Sequence, residues 1–294
     1  MAASRWHVLE GNSSQAVLKF LKFLNRLRLG HSPIFVEYEY DFKPRWQDGG
    51  NPFIREVIAS QQATIDRNIR SLNQFVPLVR ALSEKNAVVP RVDWKNHFIP
   101  ALDALSLMWA ASRTKSTIIE IGSGNSTLFL RRALESTGIS ARLISIDPCP
   151  RVEINALCDE IIRRPVENTD LFMFEKLDAG DVVFVDNSHR SFMNSDVTVV
   201  MLDILPRLKP GVLVGFHDIF LPFDYFETWS NRAYNEQYLL ASYLLANPAY
   251  LGLQFCNYWT WSRRDHVQAL AGVWDILGED VRDRRPSACW GIKA

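Results

Sequence analysis

Thr117-Ile118-Ile119-Glu120-Ile121-Gly122-Ser123-Gly124-Asn125-Ser126 is the stretch on which the fold turns. Ser116 to Ile121 reads as a short, β-branched apolar strand, and a helix is expected from about Ser126 to Glu135. The two glycines between them let the backbone turn sharply and approach a ligand closely, with helix-terminal N–H groups alongside. A Gly-x-Gly turn is a weak signal by itself, because any tight turn can use one. Its neighbours sharpen it. The dinucleotide fingerprint G-x-G-x-x-G would need glycine at position 127, where Thr127 stands. Glu120, immediately inside the turn, would repel a pyrophosphate but suits a cation. Asp147 ends the next apolar run, Leu143-Ile144-Ser145-Ile146-Asp147, where an acid can accept both hydroxyls of a ribose.

Outward from this turn the rhythm is strand, helix, strand. Phe98 to Ser112 reads as helical, and further strands are expected at Arg142 to Ile146, Glu160 to Arg163, Asp181 to Val185, Gly211 to Phe216, Gly252 to Trp259 and Ala288 to Lys293. Nearly continuous apolar strands alternating with helices predict a Rossmann-like, doubly wound α/β sheet, mostly parallel and covered on both faces. No clear helix separates the last two strands, so an antiparallel edge strand is expected there. Ligands of such sheets bind at the carboxyl ends of the strands, beside the switch point.

The chain divides into a helical extension or lid over 1–93 and the α/β domain over 94–294. In the extension, Val17, Leu18, Leu21, Leu24 and Leu27 mark an amphipathic helix between Ser13 and Leu29, packed on its own domain rather than on a membrane. Residues 30–52 read as an irregular connection. Ile54, Ile58, Ile65, Ile69, Leu72, Val76, Val79 and Leu82 then form one helical stripe, with a kink expected at Pro77. The extension either covers the site or builds a surface for a homo-oligomer.

Lys plus Arg and Asp plus Glu both number 33 in the 294 residues, so no net field draws nucleic acid or anionic lipid. The apolar share of 47% is ample for a core. Cys149, Cys158, Cys256 and Cys289 form no C-x-x-C pair, which speaks against structural zinc and a disulfide framework and suits the cytoplasm. Basic residues interrupt every apolar run near the N-terminus, so neither a signal peptide nor a membrane span is expected.

Ile119 to Leu130 and Ser145 to Pro148 resemble the first two motifs of the class I S-adenosylmethionine-dependent methyltransferases. Phe184-Val185-Asp186-Asn187-Ser188-His189 and Leu208-Lys209-Pro210-Gly211 resemble that family's motifs at the fourth strand and before the fifth. Phe216-His217-Asp218-Ile219-Phe220-Leu221-Pro222 and Asn235-Glu236-Gln237-Tyr238-Leu239-Leu240 resemble a bacterial subgroup associated with small-molecule or glycan modification. Asn187 departs from the serine expected in that subgroup. The resemblance implies S-adenosylmethionine as cofactor, a cation without phosphate. It would be bound by Glu120, Gly122, Ser123, Gly124, Asn125, Ser126, Asp147 and Asp186.

Methyl transfer from a sulfonium is an in-line displacement, so the protein positions the acceptor and, for a hydroxyl, removes its proton. His189 and His217 fall at the ends of the fourth and fifth strands with Asp186 and Asp218, which makes His189, His217 and Asp218 the catalytic candidates. Asp186 and Asp218 also resemble the acids that hold a divalent ion in catechol-type O-methyltransferases; His217 would be the third ligand, since Ile219 cannot be one. The small-molecule acceptor is expected to be methylated on oxygen, assisted by a histidine base or by that metal. His7, His31, His97 and His266 have no such context. A nucleotide-dependent oxidoreductase or epimerase, and a non-catalytic cofactor-binding protein, are the competing readings. Phe220, Phe223, Tyr225, Phe226 and Trp229 form either core or a substrate wall, and the polar start of the helix from Asn235 to Ala246 is placed to face the pocket.

Overall fold

The strands β1 (Thr117–Ile121), β2 (Arg142–Ile146), β3 (Glu160–Ile162), β4 (Val182–Val185), β5 (Leu213–Phe216), β6 (Leu251–Cys256) and β7 (Cys289–Lys293) form one sheet in the order β3-β2-β1-β4-β5-β7-β6 in the computed structural model. The structure describes residues 43–84 and 90–294, with Lys19, Phe20 and Phe23. The helix expected between Ser13 and Leu29 otherwise lies outside the described residues, as do His7 and His31. Residues 43–294 make up one compact unit. Among the described residues no helix is long and apolar enough to cross a membrane.

β3, β2, β1, β4 and β5 run parallel, as buried β-branched strands should when helices cover both faces. The order reverses at β1, whose neighbours are β2 and β4, and there the glycine turn leaves the sheet. β7 is antiparallel to both β5 and β6, so the reversed strand lies one place inside the edge and β6 is outermost. This pair is not a tight hairpin: four helices between Asn257 and Arg282 separate the two strands. Val273, Trp274, Leu277 and Val281, spaced as one buried face, are the helical signal the sequence reading passed over. The strand expected to continue to Trp259 ends at Cys256, where a helix (Asn257–Ser262) begins. Cys256 and Cys289, far apart in sequence, meet across β6 and β7 as buried free thiols with 3.8 Å between sulfurs.

The stripe from Ile54 to Leu82 is buried, but as separate helices: α1 (Pro52–Ser60), α2 (Gln62–Ser71) and α3 (Val76–Ser83), with a 3₁₀ turn at Leu72–Phe75. Pro77 starts α3 rather than kinking a longer helix, since its missing N–H costs nothing in a first turn. α2 packs on β6. The segment before α1 is tied to the loop after β5: Asn51 N–H donates to the Pro222 carbonyl at 2.7 Å, and Trp46 N–H to Asp224 at 3.0 Å.

α4 (Ala101–Ala111) is buried on every face, so its one acid, Asp103, lies entirely inside. It packs against α5 (Asn125–Thr137), which opens directly from the glycine turn. Under β4, β5 and β7, Phe184 stacks on Trp290 at 5.4 Å between centroids. Gly215 is required there, because a Cβ would meet the Trp290 ring at 2.5 Å.

Candidate functional site

Gly122 has a φ of +78°, and a Cβ on it would fall 1.9 Å from the Asp186 carbonyl oxygen. The crossing of β1 and β4 at the carboxyl edge therefore admits only glycine. Ser123 N–H donates to Asp147 Oδ2 at 2.8 Å, and Cys149 N–H to Oδ1 at 2.7 Å, which fixes the carboxylate at the end of β2. Thr127, the residue that breaks the dinucleotide fingerprint, donates to Glu120 Oε2 at 2.5 Å and accepts from Gly124 N–H at 3.1 Å. Glu120 is fully buried, and its Oε1 has no partner. Burial pushes its carboxyl up to about 8, against the hydrogen bonds from Ser126 and Thr127.

A cavity of about 370 Å³ opens over this turn, lined by Gly122, Ser123, Asp147, Asp186 and Asn187. Glu120, Gly124, Asn125 and Ser126 are not among the residues that line it.

Asp186, His189, His217 and Asp218 come together beside this cavity. His189 Nε2 is 3.3 Å from Asp186 Oδ1 and 3.4 Å from Asp218 Oδ2, while its Nδ1 meets Glu236 Oε2 at 2.9 Å. His217 Nδ1 is 3.4 Å from Asp186 Oδ1 and 3.6 Å from Asp218 Oδ1. On its far side, His217 Nε2 faces Ser287 Oγ at 3.3 Å and Asp103 Oδ2 at 3.4 Å. His189 and Asp218 have φ of +59° and +52°, a left-handed backbone that costs a non-glycine residue roughly 1–2 kcal/mol. The turn at 187–189 is held by Asn187, which accepts from His189 N–H at 2.9 Å and donates to Glu236 at 3.1 Å.

Burial opposes charge on both imidazoles, but the surrounding carboxylates outweigh it. Asp186 and Glu236 hold His189 well above its ordinary range, and Asp186, Asp218 and Asp103 do the same for His217. Burial likewise opposes ionisation of Asp186, yet the two imidazoles pull its carboxyl far below the usual range. Glu236, wholly buried, is shifted upward despite His189 and Asn187. Among the described residues no group of three or more His, Cys, Asp or Glu side chains is arranged to hold a metal ion.

A second cavity, of about 190 Å³, lies on the other side of the cluster, with Asp218, Ser287 and His97 in its lining beside Phe220, Phe226 and Trp229. Asp186 lines the first cavity and Asp218 the second, and His189 Nε2 stands between them.

A family model described as a methyltransferase domain matches residues 119–219. The segment from β1 to the end of β5 is thus similar to a methyltransferase domain. Two solved structures with a similar chain course are a putative protein-L-isoaspartate O-methyltransferase from Plasmodium falciparum and the plantazolicin methyltransferase BpumL, each in complex with S-adenosylhomocysteine. The first is 13% identical over 56% of this chain and 83% of its own, with a TM-score of 0.31. The second is 13% identical over 76% and 98%, with a TM-score of 0.32. Likeness at this level says nothing of substrate. No curated protein matches the chain.

The cluster also draws in Asp103, which the sequence reading did not single out, and Glu236, which it placed only as part of a polar helix start. Asp103 accepts from the backbone N–H groups of Ser287 and Ala288 at 2.7 and 2.8 Å, which anchors the start of β7 beside His217. An acid amid the wholly apolar α4 was the available sign. Glu236, at the polar start of α6 (Glu236–Ala246), reaches His189. His97 borders the second cavity, whereas His266 is buried, with its imidazole lowered to about 4 by burial.

Proposed function

We propose that the chain transfers the methyl group of S-adenosylmethionine to an oxygen of a small polar or sugar-bearing acceptor. The observation that carries this is the cluster's position: one carboxylate borders the cavity over the glycine turn, the other borders a separate cavity, and the histidines join them. The cofactor fits the first cavity on two features. Gly122 leaves room for no side chain, and Asp147 is fixed where ribose hydroxyls would meet it. When bound, the cofactor supplies the electrophilic methyl group.

The protein's own residues do the rest. Asp218 faces the acceptor hydroxyl and takes its proton at a carboxylate oxygen as the oxygen attacks, and His189 and His217 hold that carboxylate in place. Each imidazole is braced from behind, His189 by Glu236 and His217 by Ser287 and Asp103. The residues before α1, tied to Pro222 and Asp224, support the loop that walls the acceptor side.

Labelled S-adenosylmethionine should bind the purified chain, and Asp147→Ala and Glu120→Ala should each abolish binding. Undiminished binding in both variants overturns the placement. A thermal shift with nicotinamide cofactors, and none with S-adenosylmethionine, would favour an oxidoreductase instead.

A further inference from the structure

We propose that the cavity beyond Asp218 selects an acceptor made of a single hydroxylated six-membered ring carrying one anionic group. Arg285 would pair with the anion, and Trp229 would cover the ring. This rests on the methyl-transfer reading of the cluster.

The volume suits a small ligand. About 190 Å³ is below the roughly 300–1,000 Å³ of sites for drug-sized ligands and accommodates a single ring. The lining sets the polarity. Phe220, Phe226 and Trp229 pack edge to face on one another, at 4.9 to 5.8 Å between centroids, and present apolar rings to whatever enters. Apart from Asp218 and Ser287 at the inner end, the charged residue of the wall is Arg285. Its guanidinium lies 4.6 Å from the Phe226 ring centroid, which keeps it against the aromatic wall.

Of the neighbouring arginines, Arg263, Arg264 and Arg282 each pair with a carboxylate at 2.9 to 3.0 Å, and Arg284 meets His97 at 3.5 Å. Arg285 pairs with no carboxylate of the described residues, although it lines a cavity. A guanidinium fork matches a carboxylate or a phosphate in a bidentate fashion. The cavity is therefore polarised: a proton-accepting carboxylate at one end, a free cation at the other, and flat apolar rings between. A ring with its hydroxyl towards Asp218 and its anion towards Arg285 satisfies all three.

The test uses the full chain loaded with S-adenosylhomocysteine and calorimetric titration with glucuronate, glucose 6-phosphate and glucose. At least one anionic ring should bind about ten-fold or more tightly than glucose, the size of a charge-assisted contact. The two anionic probes separate carboxylate from phosphate. Arg285→Ala should erase the difference while leaving S-adenosylhomocysteine affinity unchanged, and Trp229→Ala should weaken all rings alike. Equal affinity for charged and neutral rings, no binding by any of them, or an Arg285→Ala variant that still prefers the anion overturns the proposal. Failure of S-adenosylhomocysteine itself to bind would instead overturn the methyl-transfer reading.

Discussion

His189 Nδ1 and Glu236 Oε2 lie 2.9 Å apart, both inside the protein, and this contact turns the other imidazole nitrogen towards Asp186 and Asp218. A carboxylate that fixes an imidazole in this way sets its orientation and favours its charged form. Glu236→Gln should therefore lower kcat by about 10²–10⁴-fold, the range of general acid–base assistance, and leave cofactor affinity within a few-fold. Single-turnover methyl transfer and S-adenosylhomocysteine titration read the two quantities. An unchanged kcat would remove Glu236 from the reaction.

Stability should depend on pH with a definite sign. The raised imidazoles of His189 and His217 contribute stability that is full below their unfolded value, about 6.5, and is lost as pH climbs through the folded one. Glu120, raised from 4.5 to about 8, adds in the same direction, because the unfolded chain ionises first between those values. The depressed Asp186 works oppositely, losing its contribution as pH falls below about 4. Tm by scanning calorimetry should peak in mildly acidic buffer and decline towards pH 8, and Glu120→Gln should flatten part of that decline. A Tm that rises from pH 5 to 8 contradicts the assignment.

Cofactor binding should be coupled to Glu120. At pH 7 its carboxyl is largely protonated, and a cation bound in the cavity over the turn would favour the ionised form. Binding of S-adenosylmethionine should then release up to one proton, visible as a titration enthalpy that changes with the ionisation heat of the buffer. Glu120→Gln should abolish that buffer dependence; its survival would place the proton elsewhere.

Gly122→Ala places a methyl group against the Asp186 carbonyl in a backbone conformation that alanine resists. It should cost about 1–3 kcal/mol of stability and eliminate measurable cofactor binding. Denaturant melts and cofactor titration check both, and an alanine variant with ordinary affinity would mean that the turn relaxes freely.

Methyl transfer should survive exhaustive chelation, since the carboxylates of the cluster already face imidazole nitrogens. A loss of turnover restored by magnesium or manganese would put an ion among these four side chains, braced through Glu236 and Asp103.

Much of this architecture could be read from local pattern. β1, β2, β4, β5 and the glycine turn announce themselves because buried parallel strands are short apolar runs and their turns are marked by glycine. The four strand-end groups at Asp186, His189, His217 and Asp218 were visible for the same reason: a parallel sheet brings its carboxyl ends to one edge. Contacts between distant segments were not legible. Asp103 and Glu236 sit on helices whose pattern speaks of burial without naming what they meet there. The reversed place of β7, one strand inside the edge, depends on pairing between Leu213–Phe216 and Cys289–Lys293, for which sequence periodicity has no sign. Arg285 carries no mark in the sequence; the fold places it over the Phe226 ring.

Because β7 runs backwards, its beginning lies at the edge where β4 and β5 end. Ser287, just before it, is bonded to Asp218 at 3.1 Å and through its N–H to Asp103 at 2.7 Å. During synthesis on the ribosome, β1 to β5 and both histidines emerge well before this serine. The pocket is thus closed by a segment that follows His217 by 70 residues, and a nascent chain stopped short of Ser287 carries every strand-end acid and imidazole without the brace that aligns them.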